Sequence, residues 1–514
     1  MYSKVLRALS LLLALIMISA VIVSCDKAST NEGSETDTQD DLTDDFSEDE
    51  FPNTDFPPSY NGPDFEGEEI TILIRDNVLY SREWYKESPE DELDEAVAMR
   101  DSHVQKDLNV NIKYELVPDA SRDTFATNFN KMIADDVNSG RHKYDVASIS
   151  AYASTYASVR GYAANLKDIE LFPFFDLSLP CWNQSIVNNT TINDRLHYIA
   201  GDINISMFDS ATILWFNRTL YSENREDNDP KSLMQYAIDG KWTYADLYTL
   251  ASRFYIEGED DKEGFYTLGI SDSEYAAPYD AIPYAWNLDF VVKNNKGTHS
   301  FSFENNNKAE EALIKFRTLL DAKGTRKNAS LENFAGGHYM FWASPIYWGS
   351  DDNYAIREME DHYGILPIPK YEASQEKYGT TAKDNYNLIT VLDHSKSTLS
   401  TKGGAVSAYL QLSAEESYMN VRSYYSMRVI KPKLFGSDTS DVRILLDDIF
   451  NQIVDNIEFD YLSIYSPQLN NIAWLWGDTV DAPGTLESAY LQNKDAYEQA
   501  LKDTDAWLGL KPKS

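Results

Sequence analysis

Aromatic rings set among Asp, Asn and Arg side chains are the chemistry this chain offers most plainly. An aromatic face packs on the C–H surface of a sugar ring, while carboxylates, amides and guanidinium groups bond its hydroxyls. The supply of rings is large: 34 Tyr, 22 Phe and 10 Trp. Arg75 and Asp76 end an alternating apolar segment, with Trp84 in the loop beyond it. Tyr152 follows the run YDVASIS, and Asp202 and Asn204 follow Gly201. Trp342 and Trp348 stand in FWASPIYW, Tyr386 in DNYN, and Trp474 and Trp476 in NNIAWLWGD. Each type also has an ordinary structural use, as a packed ring, a surface ion pair or a turn residue.

Other chemistries lack their patterns. There is no phosphate-cradling glycine loop, no dinucleotide fingerprint after a strand, no G-x-S-x-G and no H-E-x-x-H. The seven His are scattered, with no i, i+4 pair of the kind helical metal sites use. No catalytic residue, metal or cofactor is therefore expected. The 83 acidic residues guarantee close carboxylate pairs somewhere, so such a pair says little by itself about glycoside hydrolysis. Only Cys25 and Cys181 are present, which excludes a disulfide framework. Cys181 has no basic flanking residue to activate it and is expected to be buried and inert.

The formal charge is −38 over 514 residues. That balance argues against nucleic acid, whose partners cluster Lys and Arg. Residues 1–24 carry Lys4 and Arg7 and then an apolar run from Leu9 to Val23, the order of a secretory signal. Ile22-Val23-Ser24-Cys25 resembles a bacterial lipobox, which implies cleavage before Cys25 and lipidation of its thiol. Residues 26–60 hold 12 acids and one Lys with almost no aliphatics, and read as an extended tether. Setting aside the two cations of the leader and the net −11 of the tether leaves −29 on the remainder, so the acidity belongs mainly to the folded body.

The body begins near Gly67. EEITILIRD (68–76) reads as a strand, 91–108 as a helix, 109–117 as a strand, 125–137 as a helical stripe and 144–150 as a third strand. That alternation predicts an α/β body with parallel pairing, whose ligand edge lies beyond the carboxyl ends of the strands. Further helices are expected at 243–255, 308–324, 441–457 and 485–508, the second of them ending at a glycine.

The order of several phrases resembles the family 1 extracellular solute-binding proteins of ABC importers, over roughly residues 68–510. YDVASIS (144–150) is similar to the family's strand that leads to the cleft. GDINISMFDSATILWFNRTLY (201–221), with Phe216-Asn217-Arg218 and Leu220, is similar to its crossing segment. GKWTYADLYTLA (240–251), NFAGGHYMFWAS (333–344) and HYGILPIPKY (362–371) resemble further recurrent phrases. Where the nearest branch often carries two adjacent Trp, this chain has Cys181-Trp182.

The resemblance implies a two-lobed, periplasmic-binding-protein-like α/β fold, each lobe a sheet flanked by helices, the lobes joined by crossing hinge segments. It divides the chain into lobe 1 at 61–205 plus 343–393, and lobe 2 at 206–342 plus 394–514. It implies capture of a solute, a carbohydrate or oligosaccharide, in the interlobe cleft by Arg75, Asp76, Trp84, Tyr152, Asp202, Asn204, Trp342, Trp348, Tyr386, Trp474 and Trp476. It further implies delivery to ABC permease subunits by a monomer lipid-anchored on the outer face of a Gram-positive cell membrane, without catalysis. A secreted glycosidase and a peptide-binding importer component are the alternatives.

Overall fold

Two β-sheets, each assembled from segments distant in sequence, organise the chain. The computed structural model describes residues 62–507, apart from 85–87, 119–121, 193, 224–228, 259–263, 272–277, 294–297, 351–353, 384–385, 395, 431–439 and 460–471. The leader, Cys25 and the acidic tether lie outside the described residues. All described residues fall in one compact unit, Pro52–Ser514.

The first sheet starts with β1 (Glu68–Asp76), β2 (Val110–Pro118) and β3 (Val146–Ser150). β1 pairs in parallel with β2 on one side and β3 on the other. The crossovers are the helices Glu92–Leu108 and Arg122–Ser139, so the alternation read from the sequence is the one observed. The first crossover shows why it forms. Asp91 caps it by accepting from the Asp94 N–H, three acids occupy its first turn, and Asn109 ends it in the left-handed region at φ 49°. β1 is covered on both faces. Ile70, Ile72 and Ile74 join one core with Val104 and Leu108, while Leu73 joins another with Phe129, Ile133 and Ile149.

The second sheet holds β4 (Thr212–Asn217), β5 (Tyr255–Ile256), β6 (Phe265–Ile270), β9 (Thr325–Lys327), β10 (Tyr339–Pro345) and β11 (Tyr363–Leu366). Between β6 and β9 the chain forms a separate hairpin of β7 (Val291–Lys293) and β8 (His299–Phe301). The sheet runs β11-β4-β10-β6-β5, with β9 also on β6. β4 is antiparallel to both neighbours, and β10 is parallel to β6. After β11 the chain forms β12 (Thr380–Thr381) and returns to the first sheet as β13 (Asn387–Val391), antiparallel to β3. β14 (Ile457–Glu458) pairs with β12.

The chain therefore passes between the sheets at 151–211 and again at 367–386. A helical run, Lys396–Glu416, Ser417–Val421 and Arg422–Ile430, makes a third passage. These limits differ from the division drawn from the sequence. Residues 343–366 carry the end of β10 and all of β11, which pair with β4, so they belong to the second sheet rather than to lobe 1. NFAGGHYMFWAS is thus a helix and a strand inside the second half, not a crossing. Helix Lys396–Glu416 packs on β1 and on helix Glu92–Leu108, so it belongs to the first half. The closing helix expected at 485–508 is two helices, Leu486–Leu491 and Lys494–Trp507.

Cys181 is fully buried, and burial pushes its thiol far above the ordinary range. Its carbonyl accepts the Asp202 N–H at 2.9 Å, and Gly201 lies so close that an added Cβ would sit 2.0 Å from that oxygen. Gly201→Ala must push the first crossing away from Cys181. We expect it to lower stability by about 1–3 kcal/mol, measured by denaturant unfolding. An unchanged midpoint would show that this approach is not tight.

Candidate functional site

The carboxyl edge of the first sheet gathers residues from four segments. Asp76 ends β1 opposite Pro118 of β2, and Ser150 ends β3 opposite Asn387 of β13. The Ala151 N–H donates to the Tyr386 carbonyl at 2.9 Å, which places Tyr386 at the same edge. A short helix, Val78–Ser81, follows β1 and is capped by the Asn77 side chain. Asp76 is exposed, and the Arg75 guanidinium lies 3.4 Å above the Tyr80 ring. Tyr152 stands in the first turn of helix Ala151–Val159, with its side chain outside the described residues.

The second sheet offers a matching edge. Thr212 begins β4 opposite Pro345, the end of β10, and the turn Ile346–Gly349 follows. Helix Ile205–Ser210, immediately before β4, touches both this turn and helix Val78–Ser81. The two edges therefore meet over that helix, where ligands of open α/β sheets bind.

A buried carboxylate holds the junction. Glu83 is fully buried. Its Oε2 accepts the Ser206 hydroxyl at 2.7 Å and the Ser206 N–H at 3.0 Å. Its Oε1 accepts Asn387 Nδ2 at 2.8 Å and, at 3.4 Å each, Asn204 Nδ2 and the Ser148 hydroxyl. Burial raises the Glu83 pKa, and the bonds from Ser206, Asn387 and Asn204 oppose that rise. The same Ser206 hydroxyl accepts the Asn387 N–H at 3.1 Å, and Ser148 accepts Trp84 Nε1 at 2.7 Å. β3, the first crossing and the start of β13 thus close on one side chain.

Two further contacts bind the first crossing to the third. Asp202 is paired with Arg422 at 3.3 Å, and Arg422 also reaches Asp455 at 2.7 Å and the Asn451 carbonyl group of its side chain at 3.0 Å. Tyr425 donates to Asp209 at 2.6 Å. Burial pushes Asp202 up to about 7 despite its cation. Arg422 shifts upward as well, because Asp202 and the largely exposed Asp455 together outweigh its own burial. Both partners are desolvated, Asp202 is the main attraction on Arg422, and Asp455 adds to it while repelling Asp202.

The structure separates the sequence-derived residues into two groups. Trp84, Trp342, Trp476 and Tyr386 are at most 2% exposed. Trp342 packs between Phe334 and Trp348, and Trp476 against Phe290 and Phe316. Asn204 is fully buried on Glu83, and Asp202 is buried on Arg422. In this conformation these six work as packing or clamping groups, because burial leaves them almost no face for a solute. Arg75, Asp76, Trp348 and Trp474 keep solvent-facing surface. Trp348 lies in a cluster with Tyr347 at 4.3 Å and Tyr354 at 5.0 Å between ring centroids. The Lys383 ammonium lies 3.4 Å above the Trp474 ring and pairs with buried Asp280.

Sequence reasoning missed Glu83, Ser206, Asp209, Asp280, Tyr354, Lys383 and Arg422. Nothing in their local sequence marks them: Tyr354 gains its place from the rings of Tyr347 and Trp348 just before it, and each of the others from a partner 29 or more residues away. Among the described residues no group of three or more His, Cys, Asp or Glu could hold a metal ion. A cavity of about 240 Å³ lies elsewhere, lined by Asn188, Asn287, Asp289, Phe290 and Glu458 among others, and touches none of the residues singled out from the sequence.

No family model matches the chain, and no curated protein matches it. Solved structures do. The GacH receptor of Streptomyces glaucescens is 15% identical, with a TM-score of 0.49 over 85% of this chain and 99% of that one. The galacto-N-biose-/lacto-N-biose I-binding protein of the ABC transporter from Bifidobacterium longum is 11% identical, with a TM-score of 0.49 over 88% and 100%. An ABC transporter associated binding protein from B. animalis subsp. lactis is 13% identical, with a TM-score of 0.49 over 85% and 98%. At TM-scores below 0.5 these likenesses carry no weight for the site or its ligand.

Asp202 gives the junction a pH signature. Between its ordinary value of 3.8 and about 7 the folded state holds a proton that the unfolded chain has released. Stability must therefore fall as pH rises through that window, by on the order of 4 kcal/mol. In denaturant unfolding between pH 4 and 8, Asp202→Asn is expected to lack this part of the decline. Parallel profiles for the two proteins would mean that Asp202 is ionised throughout.

Proposed function

We propose that this chain is the solute-capturing component of an ABC import system, of the family 1 extracellular solute-binding type. It holds a carbohydrate or oligosaccharide between its two sheets and releases it to the permease subunits. The observation that carries this reading is the meeting of two carboxyl edges over helix Ile205–Ser210, with Trp348, Tyr347, Arg75 and Asp76 near the junction and partly open to solvent. Aromatic faces beside hydroxyl-bonding groups suit a neutral polyol. The repeated passage of the chain between sheets suits closure of two lobes on a ligand. In this reading catalysis plays no part: the chain binds reversibly, as a monomer.

The leader and lipobox support placement at the outer face of a cell membrane, with acyl chains on Cys25 as the anchor. Stable anchoring takes more than one such chain. The acidic tether then lifts the body from the lipid.

A thermal-shift screen of residues 61–514 against glycans, short peptides and polyamines tests the reading. A cognate oligosaccharide at a hundred times its Kd should stabilise the protein by about 2.7 kcal/mol. Stabilisation by peptides or polyamines with none by any glycan would overturn the sugar assignment. Turnover of a chromogenic glycoside would overturn the binding role itself.

A further inference from the structure

The third passage between the sheets is a single helical run with one irregular turn. Lys396–Glu416 and Arg422–Ile430 are α-helical, and the residues between them, Ser417–Val421, form a π turn in which the Arg422 N–H reaches the Ser417 carbonyl five residues back. Such a turn amounts to one extra residue in an α-helix, and it weakens the hydrogen-bond ladder locally. The packing changes hands there. Tyr409, Leu410, Leu412 and Ala414 belong to a core of the first sheet, and Tyr418 lies at its rim. Val421, Tyr425 and Val429 belong to the core of the second sheet.

Each end of the turn is held by an arginine, and the two arginines look to different parts of the fold. Arg100, on helix Glu92–Leu108, donates to the Ser417 hydroxyl at 3.0 Å and to the Glu83 carbonyl at 2.8 Å. Arg422, the first residue after the turn, reaches Asp202 on the first crossing and Asp455 at the end of helix Ser440–Val454. Within the turn, Asn420 is exposed. The turn is therefore irregular in its backbone and tied on either side.

We propose that Ser417–Val421 is the flexion point of the third passage, and that Arg422 is the positioning residue that sets the angle between the two sheets by holding the second helix to the first crossing. The inference rests on the reading of the two halves as lobes that move. Its test uses no ligand, so it can fail while sugar binding succeeds, or the reverse.

Spin labels at Lys106→Cys and Ile314→Cys, both exposed, report the distance between halves in the full chain carrying Cys25→Ser, with Cys181 buried. Deleting Asn420 converts the π turn to an α turn and keeps the helices in register. The expected result is a distance distribution at least twofold narrower than that of the parent, with an unchanged far-ultraviolet spectrum. Arg422→Lys keeps the charge and loses the fork that spans Asp202 and Asp455, and is expected to broaden the distribution. Should the deletion fail to fold, the Arg422→Lys result decides. A folded deletion variant as broad as the parent, or an Arg422→Lys distribution superimposable on the parent's, would overturn the proposal.

Discussion

A carboxylate taken out of water has to be met by donors, and Glu83 is met by five, from Ser148, Asn204, Ser206 twice and Asn387. Those donors come from β3, the first crossing and the first residue of β13. Each is placed because the charge is costly when any is missing. A slip of one residue along β13 would turn Asn387 to the other face of the sheet and remove its amide from Glu83. Glu83 thereby fixes the edge on which Arg75, Asp76 and Ser150 stand, and fixes it relative to the helix that also touches the second sheet.

The remaining buried charges follow the same logic at the passages. Asp202 and Arg422 join the first crossing to the third, and Asp209 and Tyr425 do so one turn further on. Arg82, beside Glu83, pairs with Asp94 at 3.1 Å, while Asp91 takes Arg428 from the third passage at 2.5 Å. Buried pairs contribute little net stability compared with apolar packing, but breaking one is costly. Their value here is geometric. They specify how the three passages lie against one another while leaving rings at the edges partly open.

The three parallel strands of the first sheet were legible in the sequence because local signals are strong there, and its antiparallel fourth strand, β13, was not. Ile70, Ile72 and Ile74 alternate, Asp91 caps a helix, and the α/β order forces parallel pairing. The sheet membership of β10 and β11 was not legible. FWASP and YGIL are apolar on both faces, so their pattern states burial without naming a neighbour. The site divided in the same way. Ring types and their clustering near strand ends were readable, and Trp348 and Trp474 do keep open surface. Which rings are plugged was not readable: Trp342 is the middle residue of β10 and packs on Phe334, from the helix before the strand. The clamp escaped entirely, since Glu83 and Asn387 are 304 residues apart.

Amide hydrogen exchange in Glu83→Ala, set against the parent protein, tests most directly whether one carboxylate organises the junction. The amides to follow are those of Ser206, which donates to Glu83, and of Asn387, which donates to the Ser206 hydroxyl. Loss of the acceptor should speed exchange at both together, by roughly tenfold or more, the equivalent of about 1.4 kcal/mol. Faster exchange confined to residues 78–84, with Ser206 and Asn387 as protected as before, would contradict the central place given to Glu83.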